Sequence, residues 1–263
     1  MKNIYLLLLI LLSACGKVEF SPNQKFDSDT PTELNKQNIA RLLVNKQDDT
    51  IRFVLTGDTQ RAYSHCEDMV RYVNGLKGVD FVLLDGDISD FGLYQEMEWI
   101  DRIYSKLQMP YIAILGNHDV AANGKKVYNR MYGDENFCFV YGGIKFVCHD
   151  SNSREYNFNG SVPNIDWLRK QFLPEAGVSG YVAVSHVPAF TTDFDPKLVE
   201  PYASVVTSAN GCLASLSAHV NNSEVNYPFD EQTPFIVANT VAEREFYVID
   251  IVNGKLSYNL KKF

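Results

Sequence analysis

Positive charge is scarce in this sequence. Its 263 residues carry 24 lysines and arginines against 32 acidic residues, a net charge of −8. No run of basic residues breaks that balance, and a chain that grips a phosphate backbone needs the reverse. Long apolar runs are missing as well. The longest, residues 4–12, has nine residues, about half of what a helix needs to cross a hydrocarbon core. The five cysteines show neither a Cys-x-x-Cys pair nor a zinc-finger spacing. No Gly-x-Ser-x-Gly elbow occurs, and Ser185 and His186 are neighbours in an apolar run of strand length, where adjacent side chains point to opposite faces. That excludes a serine hydrolase. Repeats and low-complexity stretches are also absent, and 46% hydrophobic with 21% charged residues is the composition of a globular protein, not of a disordered, collagenous or coiled-coil one.

What is present begins at the N-terminus. Lys2 precedes the apolar run, which ends in Leu12-Ser13-Ala14-Cys15-Gly16. A positive start, a short apolar core and small residues read as a secretory signal. Small residues directly before a cysteine resemble a bacterial lipoprotein lipobox. The resemblance implies cleavage after residue 14, lipidation of Cys15, and a domain held by acyl chains in the bacterial cell envelope on the periplasmic or surface side. Cys66, Cys138, Cys148 and Cys212 remain, and they are expected to be buried thiols or to form at most one bridge.

Residues 15–29 are polar and aperiodic after the cysteine, as a tether is, and residues 30–263 read as one domain. Thr30 with Glu33 forms a capping box with Pro31 at the first helical position, which predicts a helix over 31–44. Strand-length apolar runs then appear at 51–58, 80–87, 111–119, 181–187 and 213–220, with helical spacing at 62–76 and 92–107. Gly142-Gly143 joins two further strands, 137–141 and 144–149, in a hairpin. Strands are predicted at 234–239, 244–251 and 255–261. Segments 150–162 and 188–210 read as loops. The alternation points to an α/β protein with a mixed sheet or two sheets.

Each of the five runs ends in polar residues: Gly57-Asp58-Thr59-Gln60, Gly86-Asp87-Ile88-Ser89-Asp90, Gly116-Asn117-His118-Asp119, Ser185-His186 and Ala218-His219-Val220-Asn221. Ligands of α/β sheets collect beyond the carboxyl ends of strands. Convergent carboxylates, amides and imidazoles suit Mn²⁺, Mg²⁺, Zn²⁺ or Fe. This order of motifs, over residues 50–222, resembles the calcineurin-like metallophosphoesterases. The resemblance implies a four-layer α/β/β/α sandwich of two mixed sheets flanked by helices. It also implies a two-cation site on one rim and hydrolysis of phosphomonoesters, phosphodiesters or nucleotides. Asp87 would bridge the cations and Asp58 would hold the first; Asn117, His186 and His219 would hold the second. A bridging hydroxide would attack in line, His118 would assist the leaving group, and Asp119 would orient the His118 imidazole. Mn²⁺ is the first expectation for the metal.

Two positions depart from the family pattern. Gln60 stands where Asp-x-His has its histidine, and Asn221 stands where Gly-His-x-His has its last. Both belong to the first cation, whose hold would weaken and shift toward Mn²⁺ or Mg²⁺. The alternative is a catalytically weakened lipoprotein that binds metal or phosphate. A register pairing Ser217 with His219 would put Leu216 at the close-packed glycine position of the motif. Asp90 suits either a ligand contact or a helix start, and Asp85 has no assigned role. His65 is a candidate substrate contact; His149 and Asp150 read as structural. Asn152, Arg154 and Tyr156 are candidate rim residues, whereas Trp99 and Trp167 are expected in the core. Nothing calls for an obligate protein partner or for nucleic acid.

Overall fold

The computed structural model describes residue 26 and residues 29–44, 50–209 and 211–263. The expected signal (1–14), Cys15 and most of the tether lie outside these residues. Among these described residues, eleven strands form two sheets. In the first, β1 (Thr50–Thr56), β2 (Phe81–Asp85) and β3 (Tyr111–Ile114) run parallel, and β10 (Glu245–Val252) and β11 (Lys255–Lys262) add an antiparallel flank, in the order β11-β10-β1-β2-β3. The second contains β4 (Phe137–Tyr141), β5 (Ile144–Cys148), β6 (Gly180–Val184), β7 (Cys212–Ser217), β8 (Glu224–Asn226) and β9 (Phe235–Val237). Its order is β4-β5-β6-β7-β9-β8, with β5, β6, β7 and β9 parallel.

Alternation along each strand builds the layers. In β2, Phe81 and Leu83 face the second sheet and meet Phe146, Val184 and Leu216, while Val82 and Leu84 face the helices. Both faces are covered, so the strand is apolar throughout, as a buried parallel strand must be. Helices α2 (Tyr63–Asn74), α3 (Tyr94–Tyr104) and α4 (Gly124–Met131) cover the first sheet through Met69, Val73, Met97, Ile100 and Tyr128. Helices α5 (Ile165–Gln171) and α6 (Val199–Ser208) cover the second through Leu168, Tyr202 and Val206. The result is the expected α/β/β/α sandwich. Among the described residues, no helix is long and apolar enough to cross a membrane.

Helix α1 (Leu34–Val44) lies against the edge strand β3. The Asn35 side chain donates to the Ala113 carbonyl and accepts from the Ala113 N–H, both at 2.8 Å. One amide thereby satisfies the edge that β3 would otherwise leave open. This helix starts three residues later than the capping box predicts, because Glu33 takes a left-handed φ of 53°. Two further expectations are corrected. Segment 188–210 is not all loop, since it contains the whole of α6. Trp99 is 40% exposed and packs edge-on against Tyr63 at 5.4 Å, not in the core, whereas Trp167 packs partly buried against the outer core of the second sheet. Cys66, Cys138, Cys148 and Cys212 are all free thiols.

Candidate metal centre

The parallel strands of both sheets end on one rim, and their loops bend sharply there. Asp58, Asp87 and His219 have φ values of 50°, 51° and 74°, a left-handed conformation that non-glycine residues adopt mainly at turns and functional sites. The backbone locks the turns together: Asp58 N donates to Gly86 O (3.1 Å), and Gln60 N donates to Asp87 O (3.1 Å). No room is left at Gly116, where a methyl group would strike the Asp87 backbone and carboxylate.

Three carboxylates and two imidazoles crowd this rim. One ligand atom from each of Asp87, His186 and His219 falls within 4.8 Å of the others. His186 Nδ1 lies 2.7 Å from the Asp85 carbonyl, which directs its Nε2 toward Asp87 Oδ1 at 3.3 Å. That Nε2 has no hydrogen-bond partner. His219 N donates to Asp58 Oδ2 (3.0 Å), and His219 Nδ1 lies 3.0 Å from Asn117 Oδ1. Gln60 Nε2 donates to Asp87 Oδ2 at 3.3 Å, while its own buried Oε1 has no partner. Both carboxylate oxygens of Asp85, at the end of β2, are likewise buried without a partner.

The electrostatics are those of a cluster short of positive charge. Burial pushes Asp58 up to about 7 against the attraction of His186, and repulsion from Asp87 adds a smaller push in the same direction as burial. Burial pushes Asp85 up to about 8. Burial disfavours charge on His186, yet Asp87, Asp58 and Asp85 outweigh it and hold the imidazole well above its usual range. In Asp87 burial is outweighed in the other direction, by His186, and the carboxyl is held below its usual range. His219 is lowered by burial and by His186, which favours the neutral form that a ligand imidazole takes. The close ligand atoms of Asp87, His186 and His219, with His186 Nε2 unpartnered and a carbonyl fixing the far side of its ring, fit a divalent cation.

His118 lies beside this cluster on the short 3₁₀ turn His118–Val120. Its N–H donates to Asp87 Oδ1 (2.9 Å), and its Nδ1 lies 3.0 Å from the Asp90 carbonyl and 3.6 Å from the Asp90 carboxylate. Burial opposes protonation, but Asp90 and Asp87 outweigh it and raise the imidazole above its ordinary value. The expectation that Asp119 orients this ring is corrected. The buried Asp119 carboxylate accepts instead from Gly116 N (2.9 Å), Ile88 N (3.2 Å), Ser89 N (2.8 Å) and Ser89 Oγ (2.8 Å). It ties the loop after β2 to the loop after β3. Asp90 does not start α3 either; Glu96 caps that helix by accepting from Leu93 N. Asp90 is instead paired with Arg61, whose Nε donates to its Oδ2 at 2.6 Å.

Other candidates fall away from the cluster. Asn221 is exposed on the turn beyond His219 with φ 52°, and among the described residues no hydrogen bond joins it to the carboxylates. Ala218 sits at a close-packed position, since a methyl group on Gly57 would lie 2.5 Å from its Cβ; Leu216 is a core residue. This spacing matches the register that places Ala218-His219 at the motif. His65 lies on α2 beside Asp68. His149 is buried, Nδ1 3.2 Å from the Val147 carbonyl, and burial lowers it to about 4. Asp150 accepts from Asn152 N (2.9 Å), Asn152 Nδ2 (2.9 Å) and Tyr156 OH (3.1 Å). The sequence reading missed two residues near the imidazoles, Arg61 and Asp193. Asp193 Oδ2 lies 3.0 Å from His219 Nε2, and it stands in a segment with no periodicity or motif to mark it.

The family profile of the calcineurin-like phosphoesterases matches residues 51–220, which takes in Asp58, Asp87, Asn117, His118, His186 and His219. The chain belongs to that family. A curated relative, the "probable glycerophosphodiester phosphodiesterase GpdQ" of Arcobacter nitrofigilis, is 29% identical over 121 residues. That alignment spans 43% of each chain, so less than half of the relative's length is covered. A dimetal phosphatase from Danio rerio superposes with a TM-score of 0.63 at 13% identity, over 81% of this chain and 96% of the other. The purple acid phosphatase PPD1 from yellow lupin seeds also gives 0.63, at 12% identity, over 82% and 52%. Both share the two-sheet fold of this family member.

Proposed function

We propose that this calcineurin-like protein is a hydrolase of phosphoester bonds that uses two divalent cations, with small phosphodiesters as the first substrate class to test. The observation that carries the reading is the convergence of Asp87, His186 and His219 on one point with His118 alongside. The partial match to a probable glycerophosphodiesterase supports the choice of diesters. When bound, the cations would supply positive charge to the phosphoryl oxygens and make water acidic enough to attack at neutral pH. Asp87 would be shared by the two cations, with Asp58 and Gln60 completing the hold on one and Asn117, His186 and His219 on the other. His118, its Nδ1 turned toward the Asp90 carbonyl, presents Nε2 as the proton donor to the departing alkoxide. The lipobox at residues 12–16 supports an acyl anchor at Cys15 that would keep this chemistry in the bacterial envelope.

The test uses the chain from Gly16, stripped of metal, with an aryl phosphodiester as substrate and Mn²⁺ titrated. Turnover should rise and saturate, and Asp87→Ala should lose cation binding and turnover together. Hydrolysis retained in Asp87→Ala would overturn the assignment. A second reading, a metal- or phosphate-binding lipoprotein with little turnover, is favoured by the exposure of Asn221. It predicts one bound cation per chain and no hydrolysis.

A further inference from the structure

We propose that Asp193 and Arg154 act together as positioning residues for the His219 imidazole; this rests on the reading of Asp87, His186 and His219 as cation ligands. The two ring nitrogens of His219 face different oxygens. Nδ1 lies 3.0 Å from Asn117 Oδ1, and Nε2 lies 3.0 Å from Asp193 Oδ2. An imidazole that lends a lone pair to a cation carries its proton on the other nitrogen, and the oxygen facing that nitrogen decides which one it is. An ionised carboxylate can only accept. Asp193 therefore holds the proton on Nε2 and leaves the Nδ1 lone pair turned toward the amide oxygen of Asn117. Two lone pairs facing each other across 3.0 Å repel, and a cation in reach of both removes the repulsion.

Asp193 is held firmly enough to do this. It lies in a turn closed by Phe194 N donating to the Thr191 carbonyl (3.3 Å), and Thr191 N donates in turn to the Pro188 carbonyl (3.1 Å). The buried Phe194 ring packs against Tyr202 at 5.3 Å. Asp195 is also buried and accepts from Gly160 N (2.9 Å) and Lys197 N (3.0 Å), which fixes the turn to the neighbouring rim segment. The second oxygen of Asp193 accepts from Arg154 Nη1 at 3.0 Å. Arg154 stands on the 3₁₀ turn Ser153–Tyr156, just after β5. The couplet thus joins two rim segments to one ligand. The Arg154 side chain is 65% exposed, and exposed ion pairs contribute little to folding. Removing Arg154 should therefore change the ligand's orientation more than the stability of the chain.

The experiment is equilibrium dialysis of the intact, metal-stripped chain against Mn²⁺, with bound metal counted per chain. It compares wild type, Asp193→Ala, Arg154→Ala and Arg154→Lys, each checked for an unchanged thermal midpoint. Asp193→Ala should weaken one of the two cations by about tenfold to a hundredfold and leave the other unmoved. Arg154→Ala should weaken the same cation less, and Arg154→Lys, which can still give one hydrogen bond to Asp193, should restore it. Wild-type binding of both cations by folded Asp193→Ala overturns the couplet while leaving the metal centre standing. If wild type itself binds no cation, it is the metal centre that falls. A raised KM with unaltered cation binding in Arg154→Ala would make that residue a substrate contact and also overturn the proposal.

Discussion

Four donors converge on the Asp119 carboxylate, three of them backbone N–H groups from two different loops. Replacing it by alanine leaves Ile88 N, Ser89 N and Gly116 N buried without an acceptor, at about 1–3 kcal/mol each when such losses are taken singly. Asp119→Ala should therefore lower the unfolding free energy by about 3 kcal/mol or more, measured by urea titration, with loss of cation binding as the loops part. A variant that keeps wild-type stability would show that the two loops hold each other without this carboxylate. Gln60 offers the opposite kind of change. Its Oε1 is already buried beside Asp87, so Gln60→His should raise affinity for Zn²⁺ relative to Mn²⁺, on the order of tenfold. Isothermal titration with the two ions measures this, and an unaltered ratio would mean that Gln60 does not face a cation. At this scale the sequence disclosed the residues that follow apolar runs: Asp58, Asp87, Asn117, His186 and His219. It disclosed neither the true partner of His118 nor Asp193. Those depend on contacts between loops, such as the 26 positions that separate Asp193 from His219, and no local pattern encodes them.

At the scale of elements, the strands matter for where they stop. β2 and β3 are paired in parallel register, Asp85 opposite Ile114, so the two following glycines, Gly86 and Gly116, come side by side. A methyl group on Gly116 has nowhere to go except into Asp87. Gly116→Ala should cost about 1–3 kcal/mol and should displace Asp87 enough to abolish tight cation binding while circular dichroism stays native. Retained binding would mean that the turn can yield without moving its carboxylate. Periodicity made the parallel strands and the α2 and α3 helices readable, because buried strands and amphipathic helices leave different spacings. It failed where punctuation misled. The segment before β7 contains Pro188, Pro196 and Pro201, yet Pro201 sits in the first turn of α6, where its missing N–H costs nothing. The three-residue β8 is too short to show a period at all.

The molecule as a whole buries carboxyl groups whose ionisation the fold disfavours. Burial, with repulsion from neighbouring carboxylates, pushes Asp85 to about 8, Asp58 to about 7 and Asp119 to about 6, against about 3.9 in an unfolded chain. A carboxyl raised on folding stabilises the folded state fully below its unfolded value. That contribution is lost as pH rises through the folded one. The raised His186 acts in the same sense. His149, lowered to about 4 by burial, acts oppositely: its contribution is full above about 6.5 and is lost as pH falls toward 4. The lowered His219 joins it. Metal-free protein should therefore melt at rising temperature as pH drops from 8.5 to about 6, and gain less steeply below that, where the two lowered imidazoles offset part of what the three carboxyls add. Cations held by Asp58, Asp87, His186 and His219 need those carboxylates ionised and those imidazoles neutral, so their binding releases protons and strengthens with pH. The difference in thermal midpoint between Mn²⁺-loaded and chelator-treated protein should thus widen steadily from pH 6 to 8.5. A difference that stayed constant across that range would mean that the cations bind elsewhere than among Asp58, Asp87 and His186. The buried carboxylates would then be a cost of the fold with no compensating ligand.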